Sequence, residues 1–158
     1  MSTIYPGRFT ARTDQPFVVF LIGMRINKLW AVHRWLPVAQ AMGPMLAELY
    51  KHPEKGFLGG TFAFTLSGPL IVQYWRSFED LERFARDPND PHLPAWKRFY
   101  KFSKQGDAVG IWHETYQVNP GQFESVYVTM PKFGLGSVME HVPASGRFNA
   151  ARDRLGQP

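Results

Sequence analysis

Runs and alternations of apolar residues along the chain predict five β-strands. Residues 17–26 are rich in β-branched and aromatic side chains, a composition typical of a buried strand. Residues 57–67 and 70–76 have a similar composition and flank a Ser-Gly-Pro turn, so they predict a β-hairpin. Residues 108–118 and 123–129 predict the fourth and fifth strands, and apolar and polar side chains alternate along the fifth.

Two other segments show the spacing of apolar residues that indicates amphipathic helices. In residues 29–50 this spacing is interrupted by Pro37 and Pro44, and a proline inside a helix removes a hydrogen bond and clashes with the preceding turn. We therefore expect a kinked helix, or two short helices that meet near Pro37. The next helix should begin after Ser77, a favourable N-cap residue, and end at Pro88.

The predicted elements follow the order β-α-β-β-α-β, with an extra strand and a tail after them. This is the order of the ferredoxin-like fold, and it indicates the α+β class. The domain should span residues 17–131. Residues 1–16 are punctuated by proline and glycine and are expected to form an N-terminal arm. Residues 132–158 lack clear periodicity and are expected to form a C-terminal tail of loops with a short helix.

Both faces of the predicted sheet are apolar, but its two helices cover only one of them. Val19, Leu21, Ile71 and Trp75 are expected to share the second face, where exposure of all four to water would be unfavourable. A second copy packed sheet to sheet would cover them, so we predict a homodimer. The strand at residues 123–129 should pair near the sheet edge and help to join the two copies.

The composition narrows the possible chemistry. The chain has 158 residues, which suits one domain, and aromatic residues make up 15% of it, enough to line a pocket as well as a core. It has no cysteine, which excludes disulfides, thiolate nucleophiles, iron–sulfur clusters and thiolate-ligated haem. The N-terminal residues resemble no secretory signal, and the longest apolar run, residues 17–24, is too short to span a bilayer. We therefore expect a cytoplasmic protein without a membrane partner.

The net charge of +5 permits acidic partners, but the pattern of residues does not favour a nucleic acid. Much of the charge lies in one helical stretch, where the simplest interpretation is a solvated basic face. The RNA-recognition fold has the same element order, but its third strand carries a basic-glycine-aromatic pattern that the segment PLIVQYW at residues 69–75 lacks. The basic residues of the helical stretch are Arg83, Arg86, Lys97, Arg98, Lys101 and Lys104.

Several segments resemble a family of monooxygenase-like domains that is related to a fungal polyketide-pathway enzyme. They read FVVFLIGMRINKLW, QYWRSFEDLERFARDP, HLPAWKRF, VGIWHETYQV and YVTMPKFGLG, and they span about residues 15–140. The family resembles a branch of the dimeric α/β-barrel superfamily, which includes antibiotic-biosynthesis and haem-degrading monooxygenases, chlorite dismutases and aldoxime dehydratases. The resemblance implies a dimeric α/β barrel far better than it implies a reaction.

Three functions are compatible with this resemblance. The first is a monooxygenase-like enzyme that acts on a small, largely apolar aromatic or polyketide-type molecule in a barrel cavity. The second is a haem-binding protein or a haem-dependent dehydratase. The third is a non-catalytic module that binds a small ligand. No dinucleotide-binding fingerprint is present, so the expected cofactor is either none or haem.

The motif GIWHETY places chemically active side chains at the end of the fourth predicted strand. Alternation puts His113 on one face of this strand and Trp112, Glu114 and Tyr116 on the other. We expect the second set to line the cavity and to contact the ligand, with Glu114 or His113 as the catalytic base. Otherwise His113 is a structural residue that joins the strand to a helix.

Arg25 and Asn27 lie at the end of the first predicted strand, on its less apolar face. A buried arginine needs a carboxylate, so Arg25 is expected to pair with Glu114. This pairing would bring Gln73 and Trp75 into the same cavity as ligand-binding residues. The alternative is a purely structural ion pair at the sheet edge.

Histidines are the expected axial ligands if the protein binds haem. His113 is one candidate. His92 precedes a third predicted helix, which has Trp96, Phe99 and Tyr100 on its apolar face and ends near Gly106. The alternative role of His92 is that of a cap or a surface group. His33 lies in the first predicted helix and could face the cleft beside Trp30. Without haem, no metal site is expected.

Overall fold

The computed structural model describes residues 2–89, 97, 99–100 and 106–156. The strands of this part are β1 (Tyr5–Arg12), β2 (Phe17–Ile26), β3 (Phe57–Thr65), β4 (Gly68–Trp75), β5 (Val109–Val118), β6 (Tyr127–Met130) and β7 (Glu140–Pro143). Its α-helices include α1 (Val32–Lys51), α2 (Phe78–Arg86) and the short α3 (Ala151–Arg154). Short 3₁₀ helices span Pro53–Lys55, Gly134–Ser137 and Gly146–Phe148.

The larger of two sheets has the strand order β3-β4-β2-β5, and each strand is antiparallel to its neighbours. In the chain, α1 connects β2 to β3, and α2 lies between β4 and β5. This arrangement is a ferredoxin-like α+β fold, so the predicted fold class is confirmed. The predicted hairpin is also present, as β3 and β4.

The main hydrophobic core lies between the helices and one face of the larger sheet, which we call the helix face. Trp75 is fully buried at its centre, and its ring lies 5.5 Å from that of Phe57 and 5.6 Å from that of Phe84. Aromatic rings bury large apolar areas, and each Å² removed from water contributes about 25 cal/mol. The core residues are Val18, Leu49, Phe57, Trp75, Leu81 and Phe84.

Helix α1 runs for 20 residues and contains both Pro37 and Pro44. The alternative of two short helices meeting near Pro37 is therefore wrong. Leu49 is the buried residue of α1, whereas Met42 and Met45 in its middle are half-buried. The helix thus leaves space between its middle turns and the sheet. Within the described ranges, no helix is long and apolar enough to cross a membrane.

Helix α2 begins with a side-chain cap next to a buried carboxylate. Ser77 Oγ accepts a hydrogen bond from the Asp80 backbone N–H at 3.1 Å, so the predicted N-cap is confirmed. The buried Asp80 carboxylate accepts hydrogen bonds from Arg76 Nε at 2.8 Å and from Arg83 at 2.9 Å. Burial alone would raise the pKa of Asp80, but the hydrogen bond and charge of Arg76, together with the charge of Arg83, hold that pKa below its usual value.

Replacing Asp80 by asparagine should lower the free energy of unfolding by about 1–3 kcal/mol at neutral pH, because both arginines lose a charged acceptor. Glu82→Gln is the matched control, since it removes a carboxylate of the same helix that pairs with Arg86 near the surface. The control should cost less than about 0.5 kcal/mol. Chemical denaturation measures both, and equal losses in the two variants would contradict the expectation.

The same carboxylate makes stability depend on pH in a defined direction. The pKa of Asp80 is lower in the folded than in the unfolded state, so its contribution is present above the unfolded pKa of about 3.9. The contribution is lost as the pH falls through the folded pKa. The unfolding curves of the wild type and of Asp80→Asn should therefore converge in acid.

The two ends of the chain build a second, smaller sheet with the strand order β6-β1-β7. The sequence predicts an arm at residues 1–16, but β1 lies there and pairs with both other strands. The strand predicted at residues 123–129 begins later, at Tyr127, and pairs with β1 rather than with the edge of the larger sheet. The tail supplies β7 as well as short helices.

The smaller sheet and the 3₁₀ helix Gly134–Ser137 cover part of the second face of the larger sheet, which we call the open face. Phe17 and Leu135 are buried at this contact, and Val19 packs against them. Leu21, further along β2, is half-buried and lies outside that cluster. Part of the open face is therefore apolar and uncovered within one chain.

Ile71 and Trp75 do not lie on the open face, contrary to the prediction. They pair across β2 with Ile22 and Val18, and all four point towards the helices. Their exposed fractions are 2% and 0%. Ile71 and Trp75 share one face of β4, as expected. That face points towards the helices, whereas the prediction placed it on the uncovered side of the sheet.

Candidate functional site

A cavity with two adjoining lobes lies between the helices and the helix face of the larger sheet. The first lobe has a volume of about 340 Å³ and the second of about 310 Å³. Ile22, Met42, Met45 and Ile111 line both lobes, so they mark the boundary between them. The other walls of the first lobe are mainly apolar and include Met24, Pro37, Phe62, Phe64 and Phe99. Volumes and linings of this kind are typical of small-molecule sites.

The second lobe contains polar groups that can orient a ligand. Gln73 is 6% exposed, and its Oε1 accepts a hydrogen bond from Trp75 Nε1 at 2.9 Å. This bond fixes the orientation of the amide, and its Nε2 donates to no other described residue. His113 and Thr115 line the same lobe from β5, and Glu82 lines it from α2.

The register of the sheet explains why these groups share one lobe. Strand β2 lies between β4 and β5, and Phe20 pairs with Gln73 on one side and with Thr115 on the other. Ile22, two residues further, pairs with His113. Neighbouring strands lie about 4.8 Å apart and residues two positions apart along a strand are about 6.7 Å apart, so the backbones of Gln73 and His113 are separated by roughly 12 Å on the same face. A small aromatic molecule can contact both.

His113 places an imidazole on the wall of this lobe. Its ring lies 5.5 Å from the ring of Phe20, with an angle of 39° between the ring planes. The prediction that His113 faces the helices is confirmed. The expected anchoring of His113 to a helix is not seen, because the side chain makes no hydrogen bond with another described residue. Its ring nitrogens are therefore available to a ligand.

The structure places the predicted site residues in two groups. The expectation that Trp112, Glu114 and Tyr116 line the cavity is wrong, because none of them lines either lobe. His113 lies on the helix face, whereas Trp112, Glu114 and Tyr116 lie on the open face. Tyr116 Oη donates a hydrogen bond of 2.6 Å to Glu114 Oε2, and this bond, with the charge of Glu114, raises the pKa of Tyr116. The Trp112 indole lies close to Gly23, where a Cβ atom would collide with the ring.

The expected grouping of ligand-binding residues is corrected as well. Gln73 and Trp75 line the cavity on the helix face, so they do not share a cavity with Trp112 and Tyr116. The reason is geometric, because successive residues of a strand point to opposite faces and the cavity lies on the helix side.

The predicted ion pair between Arg25 and Glu114 is also wrong. In the register of β2 and β5, Arg25 lies opposite Gly110 and Glu114 lies opposite Leu21. The two charges are thus four residues apart along the strands, or roughly 13 Å. Arg25 Nε instead donates to Asn27 Oδ1 at 3.2 Å, at the end of the sheet and outside the cavity lining.

The histidines considered as haem ligands have different positions. His113 lines the second lobe. His33 is exposed on α1 and is not part of either lining. His92 lies outside the described residues. Within the described part of the chain, no group of three histidine, aspartate or glutamate side chains could hold a metal ion.

The sequence analysis did not identify Met45 and Thr115 as cavity residues. Met45 lies one helical turn from Met42, and Thr115 lies two residues from His113 on the same strand face. Both spacings are visible in the sequence. They become informative only once the helix face is known to contain the cavity.

The fold and cavity together define a ferredoxin-like α+β protein with a largely apolar cavity between its helices and its larger sheet. Comparison with family models identifies the family: the chain belongs to the Monooxygenase af470-like family, whose model matches residues 17–135. The predicted resemblance is therefore confirmed. No curated protein matches the chain in sequence.

Several solved structures are similar in fold. An aldoxime dehydratase, OxdRE, in complex with butyraldoxime is 16% identical, with a TM-score of 0.69 over 85% of this chain and 39% of that chain. A second aldoxime dehydratase is 18% identical, with a TM-score of 0.68 over 89% and 42%. SnoaB, a cofactor-independent oxygenase from Streptomyces nogalater, is 13% identical, with a TM-score of 0.46 over 65% and 93%.

The likeness to the aldoxime dehydratases is a likeness of fold, because the identities are low. This chain spans about two fifths of the length of those enzymes. Fold alone does not define a reaction, so the function must be argued from the cavity.

Proposed function

We propose that the protein is a monooxygenase-like enzyme that oxidises a small, largely apolar aromatic or polyketide-type molecule in the two-lobed cavity. One observation carries this proposal: the buried Gln73 amide faces the same lobe as the His113 imidazole, which makes no hydrogen bond with another described residue. Membership of the Monooxygenase af470-like family supports it.

In this proposal His113 is the base and Gln73 is the donor that binds the substrate oxygen. His113 accepts a proton from a phenolic or enolic substrate, and the Gln73 Nε2–H group donates to the oxygen on which negative charge develops. The apolar walls exclude water from the deprotonated substrate. The electron-rich substrate then reduces O₂: an activated CH₂ group becomes a carbonyl, and the second oxygen atom leaves as water. No external reductant is required by this balance.

Oxygen uptake tests the proposal directly. The purified protein is mixed with a panel of phenols and polycyclic polyketide-like phenols, and oxygen is followed with an electrode. We expect uptake with at least one electron-rich substrate and a product that contains one added oxygen atom. Absence of oxygen uptake across the panel contradicts the proposed monooxygenase activity. Binding with recovery of unchanged ligand would instead identify a non-catalytic binding module.

A substitution that fills the cavity should weaken ligand binding. Met42 lines both lobes, so Met42→Trp places an indole at their boundary. We expect ligand affinity to fall by at least about tenfold, while overpacking lowers the free energy of unfolding by about 1–3 kcal/mol. Titration of a bound phenol by calorimetry measures the affinity.

Ala47→Trp is the control for this substitution. Ala47 lies on the same helix, is exposed and does not line the cavity. It should leave affinity unchanged. If both variants bind the ligand like the wild type, the cavity is not the ligand site.

A haem-binding protein, or a haem-dependent dehydratase, is the second candidate, and it rests on the same imidazole in the second lobe. His113 could provide an axial nitrogen, and the aromatic and aliphatic walls suit a porphyrin, so the residues fit this group. Bound haem would supply redox-active iron. Addition of haem to the protein should then produce a Soret band that His113→Ala weakens, and a flat titration excludes this candidate.

We also propose that the protein is a homodimer that forms through the uncovered part of the open face. Leu21, Trp112 and Tyr116 lie there and are half-buried or exposed within one chain. Burial against a second copy removes this apolar surface from water. Glu114 and Tyr116 would then lie at or near the contact between the copies.

A further inference from the structure

The four most exposed large apolar side chains of the described residues lie at one end of the larger sheet. They are Leu66, Phe64, Trp30 and Leu29, with exposed fractions of 111%, 79%, 79% and 72%. We call this set the apolar rim. Single exposed apolar residues are ordinary on protein surfaces, but a cluster of them indicates an interaction surface.

The chain connections bring these residues to the same end. Leu66 lies at the tip of the β3–β4 hairpin, and Phe64 precedes it on β3. The backbone N–H of Ile26, the last residue of β2, donates to the carbonyl of Ser67 in that tip at 2.7 Å. Leu29 and Trp30 follow Ile26 within four residues, so they emerge beside the hairpin tip.

Local hydrogen bonds hold both parts of the rim in place. In the hairpin turn, Thr65 Oγ1 accepts from the Ser67 backbone N–H at 3.2 Å and donates to the Gly68 carbonyl at 2.8 Å. In the other loop, Trp35 Nε1 donates to the Leu29 carbonyl at 3.1 Å. The apolar side chains therefore project from turns whose backbones are tied down.

The apolar rim lies next to the first lobe of the cavity. Phe64 belongs to the rim and also lines that lobe, together with Pro69 of the same hairpin and Pro37 of α1. The rim therefore adjoins the end of the first lobe that the hairpin and α1 line.

Basic residues flank the rim. Arg25 is exposed at the end of β2, and the hairpin turn residue Gly68 lies against its backbone. Lys28 pairs with Asp107, and the Arg34 guanidinium lies against Gly106, which precedes β5. Among these described residues the three cations outnumber the one carboxylate, so the set has a net positive charge.

We propose that the apolar rim docks the protein on an anionic lipid surface and places the adjoining end of the first lobe at that surface. Tryptophan and leucine that project from a surface flanked by basic residues suit the boundary between lipid headgroups and acyl chains. Arginine and lysine side chains that lie beside the lipid headgroups are attracted to anionic lipids. Docking of this kind needs no helix that crosses the bilayer. It departs from the sequence-based expectation of no membrane partner, which considered only secretory signals and spanning segments.

A second copy of the chain suits this surface less well. In a two-fold contact the same patch meets itself, so the basic residues of one copy would face those of the other. Like charges in such a contact are unfavourable. An anionic surface offers the opposite charge over the whole rim.

The test is co-sedimentation of the full chain with vesicles of phosphatidylcholine, with and without phosphatidylglycerol. We expect binding to the anionic vesicles, weaker binding to phosphatidylcholine alone, and loss of binding as salt is raised. The double variant Trp30→Ser/Leu66→Ser should bind roughly tenfold or more weakly, because two apolar side chains no longer enter the lipid. Arg25→Glu should weaken binding by roughly fivefold or more.

The matched control is Ile4→Ser/Val128→Ser, which removes two apolar side chains of 61% and 56% exposure that belong to other parts of the surface. It should bind like the wild type. The proposal is overturned if the wild type does not sediment, if binding ignores phosphatidylglycerol, or if the rim variant binds fully. Self-association that the rim variant abolishes, without vesicle binding, would identify a contact between copies. The measurement needs no substrate, so its outcome is independent of the proposed reaction.

Discussion

Replacing His113 by alanine should lower the turnover number for oxygen uptake by about 10²–10⁴-fold, the range expected for loss of a general base. The side chain is exposed to the cavity and makes no hydrogen bond with another described residue, so its removal should leave stability nearly unchanged. Added imidazole can occupy the vacated space and should restore part of the activity. Rescue of this kind distinguishes a base from a residue that only maintains the structure.

Glu114→Gln is the natural control, because the two residues are adjacent in sequence and lie on opposite faces of β5. Glu114 hydrogen-bonds to Tyr116 and does not line the cavity. Its replacement should leave turnover within a few-fold of the wild type. If Glu114→Gln abolishes oxygen uptake and His113→Ala does not, the base is on the open face, and the reaction takes place at the contact between copies.

The periodicity of the sequence predicts much of this geometry. A period of two in GIWHETY is sufficient to separate His113 from Glu114, and the structure confirms the separation. The order of strands and helices is sufficient for the ferredoxin-like fold. The alternation is a local property and the fold follows from the order of the elements, so the sequence is sufficient to predict each of them.

The face that contains the cavity could not be read in the same way. Both faces of β4 carry apolar residues, so alternation groups Ile71, Gln73 and Trp75 together without showing that they point towards the helices. That assignment depends on the pairing of β4 with β2, which is a long-range contact. The predicted pairing of Arg25 with Glu114 failed for the same reason, because it required a register that the sequence does not contain.

The sequence did not predict the smaller sheet, because the local pattern of residues in β1 and β7 is only weakly typical of strands. Strand β1 reads YPGRFTAR and contains a proline and a glycine, which favour turns over strands. Its partners lie more than a hundred residues away, in β6 and β7. The alternation at residues 123–129 predicts a strand there, but it does not show that the strand pairs with β1 at such a distance.

Leu21→Glu should convert the dimer into a monomer or prevent folding. Leu21 lies on the open face between Val72 of β4 and Glu114 of β5, beyond the part covered by the smaller sheet. In the proposed dimer its side chain is buried, and a carboxylate there has no partner and lies close to Glu114. The desolvation of an unpaired charge costs several kcal/mol, and repulsion from Glu114 adds to it.

Light scattering after size exclusion measures the outcome. The wild type should have the mass of two chains, and Leu21→Glu the mass of one or an aggregate. Val128→Glu is the control, because Val128 is 56% exposed on the smaller sheet, and this variant should remain a dimer. A folded wild-type monomer at micromolar concentration contradicts the dimer. In that case Leu21 and Trp112 remain at the surface of a single chain, and the cavity between the helices and the sheet is complete without a partner.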